Sequence, residues 1–139
     1  MEACDKKLGI SRRVYSLSIP LGATVNMDGD CLYLSIAALA LAKAYGITIT
    51  GTALATMIIF IIILSVGAPG IPGSGLICLS VLLGQIGVPL EGIAVVMGID
   101  ALMGMFRAMS NCLGDVVVST IVAKSEGLLD ISLSPIYSP

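Results

Sequence analysis

The sequence predicts an all-α membrane protein, and three observations carry that prediction. Apolar residues make up 57% of the 139 and charged residues only 12%, with a mean hydropathy of +1.05. A soluble domain carries about twice that charge, so too little polar surface exists here to cover a globule of this size. No charged side chain occurs in residues 44–90, a run that holds up to two bilayer crossings of about 20 residues each. Third, the apolar stretches are interrupted by glycine, proline and carboxylates in a way that marks broken helices rather than simple spans.

The lead-in, residues 1–13, is charged. Lys6, Lys7, Arg12 and Arg13 precede the first apolar segment and hold that side in the cytoplasm by the positive-inside rule. These first residues lack the short apolar core and cleavage site of a signal peptide. With a net charge of −2, no histidine and no large basic cluster, nucleic-acid binding is excluded. Cys4, Cys31, Cys78 and Cys112 show no CxxC spacing and read as small apolar side chains rather than metal ligands or disulfides.

Residues 14–45 form a transmembrane helix broken by Asn26-Met27-Asp28-Gly29-Asp30. Where it unwinds, upstream carbonyls lose their helical donors and can coordinate a cation, with Asn26 and Asp28 adding side-chain oxygens. Residues 51–88 hold two apolar runs too short to span singly, joined by a Gly/Pro-rich tip at 67–75. That pattern predicts a re-entrant hairpin, since irregular backbone at membrane depth is tolerated only where protein buries it or a cavity wets it. Discontinuous helices of this kind build ligand and ion sites in secondary transporters. The alanines at 37, 38, 40 and 42 are read as close helix packing, and Met97, Met103, Met105 and Met109 as packing or lipid-facing.

Residues 91–124 are read as the last transmembrane helix and 125–139 as a tail. Asp28, Asp30, Asp100, Arg107 and Asp115 would together cost about 12–17 kcal/mol unpaired in a bilayer, so partners must exist. Gly104, Ala108, Asn111 and Asp115 recur at i, i+4, i+7 and i+11 with Arg107 beside them, forming one stripe. Gly104 and Ala108 leave a hollow beside Arg107, whose planar fork suits a carboxylate. Asn111 and Asp115 offer hard oxygens to a small cation. An anion site one turn from a cation site is the physical content of cation-coupled anion transport; the alternative is that Arg107 pairs with an aspartate to hold helices together. Asp100 suits either the helix start or a ligand role.

Three motifs in order cover almost the whole chain and carry a resemblance. Leu21-Gly-Ala-Thr-Val-Asn-Met-Asp-Gly29, the hairpin tip at 67–75, and Asp100-Ala-Leu-Met-Gly-Met-Phe-Arg-Ala-Met-Ser-Asn-Cys-Leu-Gly-Asp115 followed by Ile121-Val-Ala-Lys-Ser-Glu-Gly127 resemble the sodium-coupled glutamate/dicarboxylate symporters. The resemblance implies an elevator-type transporter core, not an enzyme: the C-terminal part of a transport domain that moves within a homotrimer in a bacterial inner membrane, with the hairpin as extracellular gate. It implies Na⁺ as coupling ion and no other cofactor. Carbonyls of Gly22 and Asn26 with Asn111 and Asp115 would form one sodium site, Asp28 with Asn26 a second, and the carbonyls of Thr24, Ser65, Val66 and Ala68 a third. Substrate would lie between Gly70, Ile71, Pro72, Gly73 and Gly75 of the tip, Arg107 and Asn111. The earlier helices and first hairpin of the family are missing from these 139 residues, which by themselves would not transport.

Two departures bear on the substrate. Gly104 stands where amino-acid transporters of the family usually carry the aspartate that binds an ammonium, which, with Ala108 nearby, resembles the dicarboxylate branch (succinate, fumarate, malate). Asp30 stands where threonine is usual; it would repel a dianion unless protonated, or serve as a relocated ammonium partner, leaving an acidic or neutral amino acid as the alternative. Two further function classes share parts of this pattern. An intramembrane aspartyl protease would be expected to show GxGD, whereas Cys112-Leu113-Gly114-Asp115 lacks the first glycine, and a permanent Arg107 nearby would disturb a shared-proton dyad. A small structural membrane protein is the other.

Overall fold

The computed structural model describes residues 1–67, 71 and 73–133. Among these residues the α-helices are α1 (Glu2–Lys6), α2 (Arg12–Val25), α3 (Asp28–Ala44), α4 (Gly51–Gly67), α5 (Ser74–Ile86), α6 (Ile93–Met97) and α7 (Asp100–Ser125), with short 3₁₀ turns at Leu90–Gly92 and Ile131–Leu133. Among the described residues the only β-pairing is a single antiparallel bridge, Ile10 to Leu129. The stretch Arg12–Ala44 and the helix Asp100–Ser125 are each long and apolar enough to cross a membrane.

The chain divides into two compact units, residues 27–110 and the remainder. It passes from one to the other at the break between α2 and α3 and again in mid-α7.

In the unit of residues 27–110, α3 packs on both α4 and α5, which pack on each other as a hairpin. The buried faces follow the helical repeat: Leu34, Ala38 and Leu41 from α3, Met57 and Ile61 from α4, and Cys78, Leu79, Leu82 and Leu83 from α5. Of the alanine run on α3, Ala38 and Ala42 are buried in this core and Ala37 packs against it, while Ala40 is exposed. The rest of α4 is no less apolar: Ile58, Ile59, Ile62 and Ile63 point outward, at least half exposed. A helix apolar all round belongs in lipid or under another helix, not in water.

The other unit joins α1, α2, the later part of α7 and residues 126–133. Its core is Cys4, Ile10, Val14, Tyr15 and Ala123, flanked by Leu8, Ile19, Val116, Leu128 and Leu129. A backbone clasp ties the lead-in to the tail, Ser11 N–H donating to the Leu128 carbonyl (3.1 Å) and Asp130 N–H to that of Gly9 (2.8 Å). The lead-in and the end of α7 therefore lie on the same side. α3, α5 and α7 each end on a left-handed glycine, Gly46, Gly87 and Gly127. In each case the next N–H reaches back five residues, to Ala42, Leu83 and Ala123, which satisfies a carbonyl the helix leaves orphaned.

The last helix departs from expectation. Residues 91–124 were expected as one span, but the chain forms a 3₁₀ turn, then α6, and starts α7 only at Asp100. At the joint Ile99 N–H donates to the Val96 carbonyl, three residues back, a tightened turn that ends one helix before the next begins. The apolar run through Ile93–Met97 gives no compositional sign of the joint beyond Gly98. The broken helix, by contrast, breaks where expected: Asn26 is extended and Met27 non-helical between α2 and α3. Pro20 inside α2 lacks the N–H that the Ser16 carbonyl would accept.

Candidate functional site

The inward stripe on α7 runs Asp100, Gly104, Arg107, Asn111, Asp115, Ser119, with Arg107 in it and Ala108, expected there, exposed instead; Met105, Phe106, Met109, Leu113, Val117 and Ile121 are more than half exposed. Polar side chains inward and apolar ones outward is the reverse of a soluble helix, and suits one bathed in lipid.

Within residues 27–110 the stripe centres on Arg107, whose side chain is 11% exposed. Asp30 Oδ1 lies 3.7 Å from its Nε and Asp100 Oδ1 3.5 Å from its Nη2. Both distances are ion-pair contacts rather than short hydrogen bonds. Its guanidinium carbon sits 4.4 Å from the Tyr33 ring centroid, a cation–π contact that desolvation strengthens. Tyr33 donates its hydroxyl to Asp100 Oδ1 at 3.2 Å. Arg107 Nη1 is buried and has no hydrogen-bond partner among the described residues. The guanidinium thus does pair with aspartates, as the packing alternative holds, yet keeps one donor uncommitted.

Glycine shapes this pocket. A Cβ on Gly75, in the first turn of α5, would overlap Arg107 Nη1, and one on Gly29 would press on the Arg107 backbone. At Gly104, among the described residues, a Cβ would meet only Nη2, at 3.5 Å. Ala108 lies exposed one residue past Arg107 on α7. On the hairpin, Gly73 is left-handed and caps α5, and Ile71 is exposed. Gly70, Pro72 and Ala68 lie outside the described residues. Ser65 is buried, its hydroxyl donating to the Ile62 carbonyl and accepting from Cys31 Sγ at 3.1 Å; Val66 is exposed. Asp28 is exposed in the first turn of α3, where the helix dipole favours a carboxylate.

In the other unit, Asn26 Nδ2 donates to Asp115 Oδ1 at 3.0 Å and approaches the Asn111 carbonyl at 3.5 Å. A Cβ on Gly22 would overlap the Asp115 carboxylate, so that glycine makes room for the acid. Four of the residues expected around one cation thus converge: Gly22, Asn26, Asn111 and Asp115. Two details differ from expectation. The Gly22 carbonyl keeps its helical donor, Asn26 N–H at 2.7 Å, so only its second lone pair is left for a ligand. Asn26 turns its amide nitrogen to Asp115, where a cation ligand would turn the oxygen. Thr24 is exposed, its hydroxyl donating to the Leu21 carbonyl.

Sequence reasoning missed Tyr33 and the serines. Tyr33 follows Asp30 by three residues on α3, which places the two on one face; that spacing was the available signal. Ser119 continues the α7 stripe one turn beyond Asp115 and meets Ser18 Oγ at 2.7 Å, while donating to the Asp115 carbonyl.

The sequence pattern that defines the sodium:dicarboxylate symporter family matches residues 1–125. Among curated proteins, the chain is 38% identical over 125 residues to a proton/sodium-glutamate symport protein of Bacillus subtilis, covering 90% of this chain and 29% of that one. It is 39% identical over 126 residues to a C4-dicarboxylate transport protein of Laribacter hongkongensis, with 90% and 29% covered. A C4-dicarboxylate transport protein of Solibacter usitatus is 40% identical over 131 residues, with 94% and 31% covered. The chain therefore spans about three tenths of the length of the curated relatives it matches.

Proposed function

We propose, since the chain belongs to the sodium:dicarboxylate symporter family, that it forms the ligand-binding part of a secondary transporter, which carries a small carboxylate across the membrane coupled to a cation, Na⁺ in this reading. The observation that carries the reading is Arg107: a buried, permanently charged side chain on an apolar helix, with one terminal nitrogen uncommitted among the described residues. Such a group in a bilayer is a functional site by default, and a carboxylate is the ligand whose geometry it fits.

The coupling cation has a candidate seat on the same helix. Asp115 supplies a buried carboxylate, Asn111 and Gly22 carbonyl oxygens, and Asn26 an amide that can present its oxygen by rotating. All are hard oxygen donors, which fits an alkali cation better than a transition metal. Asp28 with Asn26, and the carbonyls of Thr24, Ser65, Val66 and Ala68, are proposed as further cation contacts. Neutralising Asp115 with a cation would favour an anion near Arg107, two turns up the helix, and binding of each would strengthen the other by linkage.

In this proposal residues 1–13 are a cytoplasmic lead-in, 14–45 the broken transmembrane helix, 51–88 the re-entrant gate, 91–124 the last span, starting in earnest at Asp100, and 125–139 a tail. The remaining parts of the transporter, a homotrimer and a multi-pass position in the inner membrane complete the reading. The test is calorimetry of the full-length protein with succinate and with aspartate, each with and without sodium. Binding of either ligand only with sodium is expected; a protein that binds neither would overturn the proposal.

A further inference from the structure

α2 runs antiparallel to the part of α7 in its own unit, and every fourth residue of one faces every fourth of the other. Val14 and Ala123 lie in one apolar core. One turn along, Ser18 Oγ meets Ser119 Oγ at 2.7 Å. Next, Gly22 makes room for the Asp115 carboxylate, and last the Asn26 amide approaches the Asn111 carbonyl at 3.5 Å. The last two rungs are the candidate cation seat. The serine pair is the rung directly beneath it.

Each serine hydroxyl has one proton to give, and the distances show where each goes. Ser119 donates to the Asp115 carbonyl at 2.6 Å. Its oxygen can then accept, and Ser18 lies nearer to it (2.7 Å) than to the Val14 carbonyl (3.0 Å). The protons thus line up from Ser18 through Ser119 to the backbone of Asp115, and each bond in such a chain polarises the next. Ser119 is fully buried. Packing alone would be served by an alanine, as it is by Ala123 one turn on. A cation seat asks for more: its oxygens must hold position to within about 0.5 Å, which groups behind the ligands secure.

We propose that Ser18 and Ser119 are positioning residues for the coupling cation. Their hydroxyl chain fixes the spacing of α2 and α7 one turn below the seat, and with it the reach between the Gly22 carbonyl and the Asp115 carboxylate. This rests on the cation seat of the proposed function and deepens it. Neither hydroxyl touches the cation. Loss of the chain lets the seat's oxygens move apart, so the cation binds less tightly, whereas Arg107 takes part in none of these contacts.

The experiment titrates sodium against succinate and aspartate binding to the full-length protein, unaltered and as Ser18→Ala, Ser119→Ala, the two together, and Ser18→Thr. Each alanine variant is expected to raise half-saturating sodium about 3- to 10-fold, the range of one neutral hydrogen bond. Ligand affinity should return to the unaltered value once sodium saturates. The double variant should match Ser119→Ala, because that change already cuts the chain. Ser18→Thr keeps the hydroxyl at a half-buried position and should keep the sodium dependence. If Ser119→Ala does not fold, Ser18→Ala and Ser18→Thr still decide. Alanine variants that melt lower but keep the unaltered sodium dependence would show that the serines only join helices, and overturn the proposal. Additive losses in the double variant would also overturn it, since the two hydroxyls would then act separately. Sodium dependence that responds to Asp115→Asn but not to the serine variants overturns this proposal alone. An unaltered protein that binds neither ligand, or binds without regard to sodium, overturns the cation seat and this proposal with it.

Discussion

Gly75 and Arg107 are fitted to each other: the guanidinium nitrogen Nη1 occupies the space that a side chain at position 75 would take. Because Nη1 is the uncommitted donor, the glycine fixes where a carboxylate can meet α5. Gly75→Ala would push the guanidinium aside at the cost of overpacking, typically about 1–3 kcal/mol. Alanine also favours the helix slightly, so the fold should survive. The expected outcome is a carboxylate affinity lower by about 10-fold or more with a melting temperature lowered by only a few degrees, read by calorimetry and thermal unfolding in detergent. Unchanged affinity would mean that ligand does not use Nη1.

Tyr33 stabilises the same cluster in two separable ways. Its ring lies under the guanidinium at 4.4 Å and its hydroxyl donates to Asp100 at 3.2 Å. Tyr33→Phe keeps the ring and leaves a buried carboxylate short of a donor, which should cost about 1–3 kcal/mol. Tyr33→Ala also removes the cation–π contact and leaves a cavity, raising the loss to about 3–5 kcal/mol. Melting temperatures falling in the order unaltered, Phe, Ala would bear this out; equal values for Tyr33→Phe and the unaltered protein would show that the hydroxyl contributes nothing.

How much of this was legible in the sequence depends on whether the signal was local. The break at Asn26-Met27-Asp28 was legible because polar residues in an apolar run leave the helix few other options, and the α7 stripe because helical spacing fixes which residues share a face. The convergence of Asn26 with Asp115 entered through resemblance, since 89 residues separate them. The pairing of Arg107 with both Asp30 and Asp100 could not be chosen over a ligand role: spacing shows that Asp100 lies two turns away, but not which way a long side chain turns. The joint at Gly98 and Ile99 was hidden by apolar sequence on both sides, because a tightened turn needs no polar residue.

The cation seat is tested from both sides of one contact. Asp115→Asn removes the carboxylate that faces Asn26, and Gly22→Ala introduces a methyl group that would overlap that carboxylate. Both should raise the sodium concentration for half-maximal ligand binding by about 10-fold or more, corresponding to roughly 1.4 kcal/mol. Sodium titrations of carboxylate binding would read it. If both variants bind ligand with unaltered sodium dependence, the coupling cation sits elsewhere.

The clasp between lead-in and tail separates two penalties that glycine replacement usually combines. Gly9 (φ +65°) and Gly127 (φ +67°) are both left-handed, so a side chain at either meets the same backbone cost, about 1 kcal/mol for alanine. Their surroundings differ: a Cβ at Gly9 would overlap the Asp130 carbonyl, whereas among the described residues nothing lies within 4 Å of one at Gly127. Gly127→Ala should therefore cost about 1 kcal/mol, and Gly127→Asn less, because asparagine tolerates the left-handed region. Gly9→Ala and Gly9→Asn should both cost more, since neither removes the overlap. Hydrogen exchange gives the readout: the Ser11 and Asp130 amides that close the clasp should exchange about 10-fold or more faster in the Gly9 variants. Amides of α4 and α5, in the other unit, should keep their rates. Equal effects of Gly9→Ala and Gly127→Ala would mean that the clasp yields freely, and that backbone conformation alone sets the cost at both ends.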